Sequence, residues 1–482
     1  MNYLDQQFAK SMTRRHFFGR ASTGIGSLAL ASLLNQNVFA GGSKATASLG
    51  ALNALHMAPK AKRVIHLFMS GGPSHIDLFD HKPKLNDLTG TELPTSIRGS
   101  QRITGMTSGQ KQLLCVGSPF AFARHGKCGA EISELLPYTA KVADDIAIVR
   151  SMFTEPINHD PAVTFIGTGN QQPGRPTMGA WVSYGLGSEN KNLPSFIVLL
   201  SGGGGQPLLS RYWNNGFLPS NHQGVQFRGQ GDPVLFVSNP SGIEPKQRRQ
   251  LLDGIQKLNR IQLEAIRDPE IATRIEAYEM AFRMQTSVPD LMDISTEPKS
   301  VLDMYGAEPG KASFANNCLL ARRLAERDVR YIQLFHRDWD HHGDLPNAIR
   351  NQCKQTDQAS AALIMDLKQR GLLDDTLVIW GGEFGRTTYS QGEITKTSFG
   401  RDHHPRCFSM WMAGGGIKGG VTLGKTDDFG YNLVEEPVHV HDFHATVMKL
   451  LGVDHEKLTF RSQGRDFRLT DVAGQIVGKL LA

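Results

Sequence analysis

Six short apolar runs, most of them breaking straight into glycine or a charged loop, constrain this chain more than any other feature. Residues 64–69 (VIHLFM) end at Ser70-Gly71-Gly72, residues 195–200 run into Gly202-Gly203-Gly204-Gly205, and residues 376–380 precede Gly381-Gly382. Residues 145–149, 329–335 and 408–412 have the same form, the last ending in Ala413-Gly414-Gly415-Gly416. A strand apolar at consecutive positions is buried on both faces, which is the habit of parallel sheets covered by helices. Helical patterns lie between the runs, at 312–326, at 352–370 with Ala359, Ala362, Leu363, Met365 and Leu367, and at 441–451. Strands alternating with helices predict a layered α/β fold with a mostly parallel central sheet and helices on both faces. The charged stretch 244–284 reads as an inserted helical hairpin or cap, with the insertion placed at about 244–290 of a single domain over 61–482.

The amino terminus reads differently. Thr13-Arg14-Arg15-His16-Phe17-Phe18 precedes an uncharged run over 21–39, and Val38-Phe39-Ala40 forms a small-residue cleavage site before Gly41. Paired arginines, a mild apolar segment and an A-x-A-like end predict a twin-arginine signal peptide over 1–40, engaging the Tat translocon. A retained anchor is the other reading, but Ser22, Thr23, Gly24, Gly26, Asn35, Gln36 and Asn37 make the run polar for a membrane span. Residues 41–60 read as a linker. The expected location is periplasmic or extracellular, with membrane contact only through an uncleaved signal. The net charge is +6, and the leader carries Lys10, Arg14, Arg15 and Arg20 against Asp5, leaving about +3 for the rest. That charge is dispersed, so nucleic acid is not an expected partner. Five cysteines with no C-x-x-C argue against a disulfide framework or a zinc knuckle.

Ligands of open α/β sheets bind beyond the carboxyl ends of the strands. Four polar clusters fall at that edge. Ser74, His75, Asp77 and Asp80 follow the first run, and His336, Asp338, Asp340, His341, His342 and Asp344 follow the run ending at Phe335. Glu383 and Arg386 follow Trp380, and Arg401, Asp402, His403 and His404 precede Phe408. Mixed carboxylates and imidazoles suit zinc, manganese or a similar divalent ion. Taken singly, each such residue also reads as a helix cap, a turn residue or a local ion pair. The HRDWDHHGD segment is the densest of the four.

The order of these clusters resembles the alkaline-phosphatase-like superfamily, which includes sulfatases and metal-dependent phosphomutases. Asp77 matches its early Asp, and Asp338-x-x-x-His342 its Asp–His spacing, with Asp340 as a rival for the carboxylate. Glu383 falls where the Asp of a further Asp-His pair stands, and His403 or His404 where the last His stands. HVHDFHATVMKLLGVD resembles the superfamily segment in which a helix follows an Asp and ends at a turn. GGPSHIDLFDHKP, WDHHGD, GGEFGRT, GRDHHP, MAGGGIKGG and QGRDFRLTDV, with the leader, resemble a large family of exported bacterial proteins in that superfamily, domain of unknown function 1501.

The resemblance implies an exported, metal-dependent hydrolase of phosphate or sulfate esters holding one or two ions of zinc, calcium or manganese. Its implied ligands are Asp77, Asp338, Asp340, His342, Glu383 and His403, and its substrate an anionic ester or sulfated glycan. Two departures qualify it. His159-Asp160-Pro161 stands where sulfatases carry their Cys, which removes the formylglycine precursor, and Phe384 replaces a metal-binding His. His159 is then a nucleophile, a general acid/base or a ligand, with a helix-cap histidine as the plain alternative. Arg386 is expected to hold an anionic oxygen or to pair a local Glu. The rival reading is a binding protein that kept the fold and lost the nucleophile.

Overall fold

Side-chain alternation along the first strand, β1 (Arg63–Met69), sets up the two faces of the sheet. Ile65, Leu67 and Met69 point into one core, and Val64 and Phe68 into another. The computed structural model of the protein describes residues 50–229, 231–235, 239, 242–395 and 397–482. The predicted leader at 1–40 and most of the linker at 41–60 lie outside the described residues. Among the described residues, no helix is long and apolar enough to cross a membrane.

After β1 come a short helix α1 (His75–Leu78), β2 (Ile146–Phe153), α2 (His159–Thr168), α3 (Met178–Leu186), β3 (Phe196–Ser201) and β4 (Val225–Phe227). Two long helices follow, α4 (Pro245–Ile266) and α5 (Pro269–Met292), then α6 (Phe314–Ala325), β5 (Tyr331–His336), α7 (Leu345–Gln369) and β6 (Thr376–Gly381). The remainder holds β7 (Gly385–Gln391), β8 (Gly400–His404), β9 (Phe408–Ala413), β10 (Val421–Leu423), β11 (Val438–His439) and α8 (Val440–Leu450).

The chain divides into two compact units. The larger spans Ala47–Ser238 and Met280–Ala482 and contains a nine-stranded sheet of order β10-β2-β9-β6-β1-β5-β3-β4, with β11 also pairing β2. Leu319, Leu320 and Leu324 of α6 and Ala362, Leu363 and Leu367 of α7 cover the face that carries Ile65 and Leu67. Val163 and Ile166 of α2, Trp181 of α3 and Phe443 and Val447 of α8 cover the face that carries Val64 and Phe68. The expected three-layer α/β architecture is therefore present. One strand departs from the parallel pattern. β9 runs antiparallel to both β2 and β6, whereas the other pairings in the sheet are parallel. Its glycine-rich end thus lies at the opposite edge from those of β1 and β6. Its amino-terminal end, preceded by the β7–β8 hairpin, joins the carboxyl ends of β1, β5 and β6.

In the smaller unit, Asn239–Glu279, α4 starts with a capping box between Glu244 and Gln247 and ends at Arg267, left-handed at φ 57°. The Arg249 guanidinium forks onto Glu279 of α5 at 3.0 and 2.6 Å, joining the two helices.

Candidate metal centre

The loops at the carboxyl edge approach one another closely because glycine allows it. Gly71 sits at φ +122°, and a Cβ on it would come within 2.5 Å of the Asp340 nitrogen. Asp340 and His342 follow β5, and His159 opens the first turn of α2. His403 comes from β8, where a register shift between Arg401 and His403 interrupts the ladder with β7. Ligand atoms of His159, Asp340, His342 and His403 all lie within 4.8 Å of one another.

Asp340 is the hub. Its Oδ1 lies 2.7 Å from Nε2 of His342, 3.1 Å from Nε2 of His159 and 3.4 Å from Nε2 of His403. The far nitrogen of each ring is engaged. Nδ1 of His159 donates to Glu383 Oε1 at 2.6 Å, and Nδ1 of His403 to the Ile157 carbonyl at 2.8 Å. Nδ1 of His342 lies 2.6 Å from Gln391 Oε1. A carbonyl or carboxylate oxygen only accepts, so each neutral ring keeps its proton on Nδ1 and turns the Nε2 lone pair inward. Three lone pairs and a carboxylate oxygen then face one another, an arrangement that a cation or a proton must bridge. The far-side acceptors are what ligating histidines require to fix tautomer and ring orientation. The donor set therefore fits a divalent ion.

The electrostatics agree. In the ion-free site, where the rings share protons with Asp340 through Nε2, burial alone raises its carboxyl, but hydrogen bonds from His159, His342 and His403, with Arg386 alongside, hold it well below the usual carboxylate range. Burial pulls His403 down to about 4, against the attraction of Asp340. Burial also lowers His159, yet its hydrogen bonds to Asp340 and Glu383 prevail and raise it.

The structure thus brings His159, Asp340, His342 and His403 together and sets the other expected residues apart. Glu383 stands one step behind: besides holding His159, its carboxylate accepts the Gly71 N–H at 3.0 and 3.2 Å. Asp77, expected as a ligand, is fully buried and pairs with Arg401 at 2.9 Å while accepting from Ser74 at 2.5 Å. Asp338 is exposed at φ +83°, and its side chain accepts from Gln352 at 3.3 Å, so Asp340 is the carboxylate that meets His342. His404 stacks on Tyr431 and bonds its carbonyl at 2.8 Å, outside the group.

Arg386, expected to hold an anionic oxygen, is buried and otherwise engaged. It donates to the carbonyls of Gly71, Gly72 and Arg401 and to Asp340 Oδ1 at 2.6 Å, tying loops together and balancing the hub's charge. His159, expected as a nucleophile, an acid/base or a ligand, stands among the converging donor atoms with its Nε2 3.1 Å from Asp340 Oδ1. Sequence reasoning missed the orienting acceptors, the Ile157 carbonyl and Gln391, and also Gln206, whose amide donates to Asp340 Oδ2 at 3.3 Å. No local signal marks them: one is a backbone atom and the others are single glutamines.

Fold and site together define a layered α/β protein with a His-rich candidate metal centre at the carboxyl edge of its sheet. Over residues 61–481 the chain matches the family described as Protein of unknown function (DUF1501), and it belongs to that family. No curated protein matches the sequence. Among solved structures, Ps i-CgsB in complex with k-i-k-neocarrahexaose is similar at 11% identity and TM-score 0.36, over 82% of this chain and 72% of that one. The PsFucS1 sulfatase from Pseudoalteromonas sp. is similar at 11% identity and TM-score 0.34, over 82% and 68%. The alkaline phosphatase from the Antarctic bacterium TAB5 is similar at 10% identity and TM-score 0.31, over 74% and 92%. None of these likenesses assigns an activity to this chain.

Proposed function

We propose that the protein is an exported, metal-dependent hydrolase of phosphate or sulfate esters, working with one divalent ion held by His159, Asp340, His342 and His403. One observation carries this reading: three imidazoles with Nδ1 engaged turn their Nε2 atoms onto a single carboxylate oxygen. The ester class and the export route rest on the ordered sequence blocks and the Tat-like leader. Three nitrogens and one oxygen suit zinc or manganese; calcium, which takes six to eight oxygens, fits poorly.

A divalent ion there supplies Lewis acidity toward a phosphoryl or sulfuryl oxygen. The residues do the rest. The side chains of Asp340 and His342 are 14% and 24% exposed, so substrate approaches on their side. Glu383 keeps the His159 proton on Nδ1 and its lone pair inward. Arg386 neutralises part of the carboxylate charge. His159 stands where sulfatases carry their nucleophile, and with it acting as a ligand, attack on the ester falls to water instead of an enzyme side chain.

That same lack of a nucleophile favours one rival, a binding protein on the same fold. Elemental mass spectrometry of the purified protein beside Asp340→Ala/His342→Ala tests the reading, followed by ester turnover with the metal found. Expected are about one ion per chain in the wild type, none in the variant, and turnover by the wild type only. A metal-free wild type from metal-replete cells sinks the reading, and a metal-loaded protein that turns over no ester becomes the binding protein.

A further inference from the structure

Helix α4 carries two apolar seams, and one is uncovered. On the first, Leu252 is buried and Ile255 and Leu263 are half-buried. The second is formed by Leu251, Gly254, Leu258, Ile261 and Ala265, separated by steps of three, four, three and four residues. That is the a/d spacing of a coiled coil. All five are exposed, Leu251 by 49%, Leu258 by 68% and Ile261 by 64%. Gly254 adds a second clue. It lies mid-helix, and a Cβ placed on it meets nothing within 4 Å. A mid-helix glycine costs about 1 kcal/mol relative to alanine. Nothing among the described residues packs against it, whereas a second helix crossing there gains close approach.

We propose that this seam pairs antiparallel with the same seam of a second copy, forming a two-fold dimer. The charges beside the seam select this partner. Lys257 and Glu264 are exposed, occupy equivalent positions in successive heptads, and have no ion-pair partner among the described residues. An antiparallel pairing that sets Leu258 against Ile261 of the other copy, and Gly254 against Ala265, places each Lys257 opposite the other copy's Glu264. A parallel pairing sets Lys257 opposite Gln262 and forms neither contact. An anionic lipid surface calls for a uniformly basic polar face, and Asp253 and Glu264 interrupt that of α4.

Sedimentation velocity on the full-length protein over a concentration series is the test. A reversible dimer is expected, because one helix pair sits at the small end of stable interfaces. Leu258→Glu/Ile261→Glu is expected to be monomeric with unchanged far-ultraviolet circular dichroism. Lys257→Glu should weaken association by about tenfold, and Lys257→Glu/Glu264→Lys should restore it. A wild type that stays monomeric throughout, or a dimer that Leu258→Glu/Ile261→Glu leaves intact, overturns the proposal. So does a monomer that co-floats with phosphatidylglycerol vesicles through this seam, which assigns the seam to lipid.

Discussion

The carboxyl edge of the sheet and the outer seam of α4 are unmatched in opposite ways. At the sheet edge, the polar groups of His159, Asp340 and His403 are drawn into the protein and crowd round one oxygen. On α4, Leu251, Leu258 and Ile261 are left in water. Burying lone pairs without a donor is costly, and so is exposing a contiguous apolar stripe. The complements proposed above follow the chemistry of each region: a cation for the converging nitrogens, an apolar helix for the stripe. Their energetic weights differ, since the first mismatch lies inside the folding core and the second does not.

The largest effect should come from removing the hub. Asp340→Ala leaves Arg386 buried beside an empty position, and loss of one partner of a buried pair costs about 3–5 kcal/mol. Urea unfolding of chelated wild type and variant measures it; equal midpoints would mean that Asp340 is not holding the core. Acid is the next lever. Burial holds His66 and His444 each down to about 3. Between that value and the ordinary 6.5 the unfolded chain binds the extra protons, so stability falls as pH is lowered through this window. The two groups together give a slope of about 2.7 kcal/mol per pH unit. Unfolding midpoints at pH 7 and pH 5 on metal-free protein read it, and a flat profile refutes the assignment.

Glu383→Gln preserves shape but weakens the anchor on His159. Metal affinity should fall by about 10–100-fold, with little change in fold, read by competition with a chelating dye. Unchanged affinity would leave Glu383 without an orienting role. The smallest expected effect on stability is that of Leu258→Glu, within about 0.5 kcal/mol of wild type in the same unfolding assay. A loss of several kcal/mol there would show the seam to be part of the core, and the contrast between the two regions would collapse.

The strands were legible because their apolar runs are continuous and glycine marks their ends. The direction of β9 was not, since the run over 408–412 looks the same whichever way it is threaded. Its reversal follows from the β7–β8 hairpin, a connection no apolar pattern records. The histidines of the centre were visible as clusters, but their grouping was not. What separates Asp338 from Asp340 is conformational, since the first adopts φ +83° and is exposed. The pairing of Asp77 with Arg401 was not legible, because the two residues are distant in sequence. The outer seam of α4 was overlooked because α4 reads simply as a charged helix until burial divides its apolar positions into two rows.

One tether in the centre has a consequence for genetics. His403 is oriented by the Ile157 carbonyl, a backbone atom that every substitution at position 157 retains. A saturation screen should therefore score Ile157 by how well its side chain packs, and find nothing there that points to the metal. The equivalent hold on His159 comes from a side chain, Glu383, and the same screen should flag it at once. Tolerance to substitution will rank two equivalent supports far apart, so a mutational map of this protein will underestimate the part played by the residues just before α2.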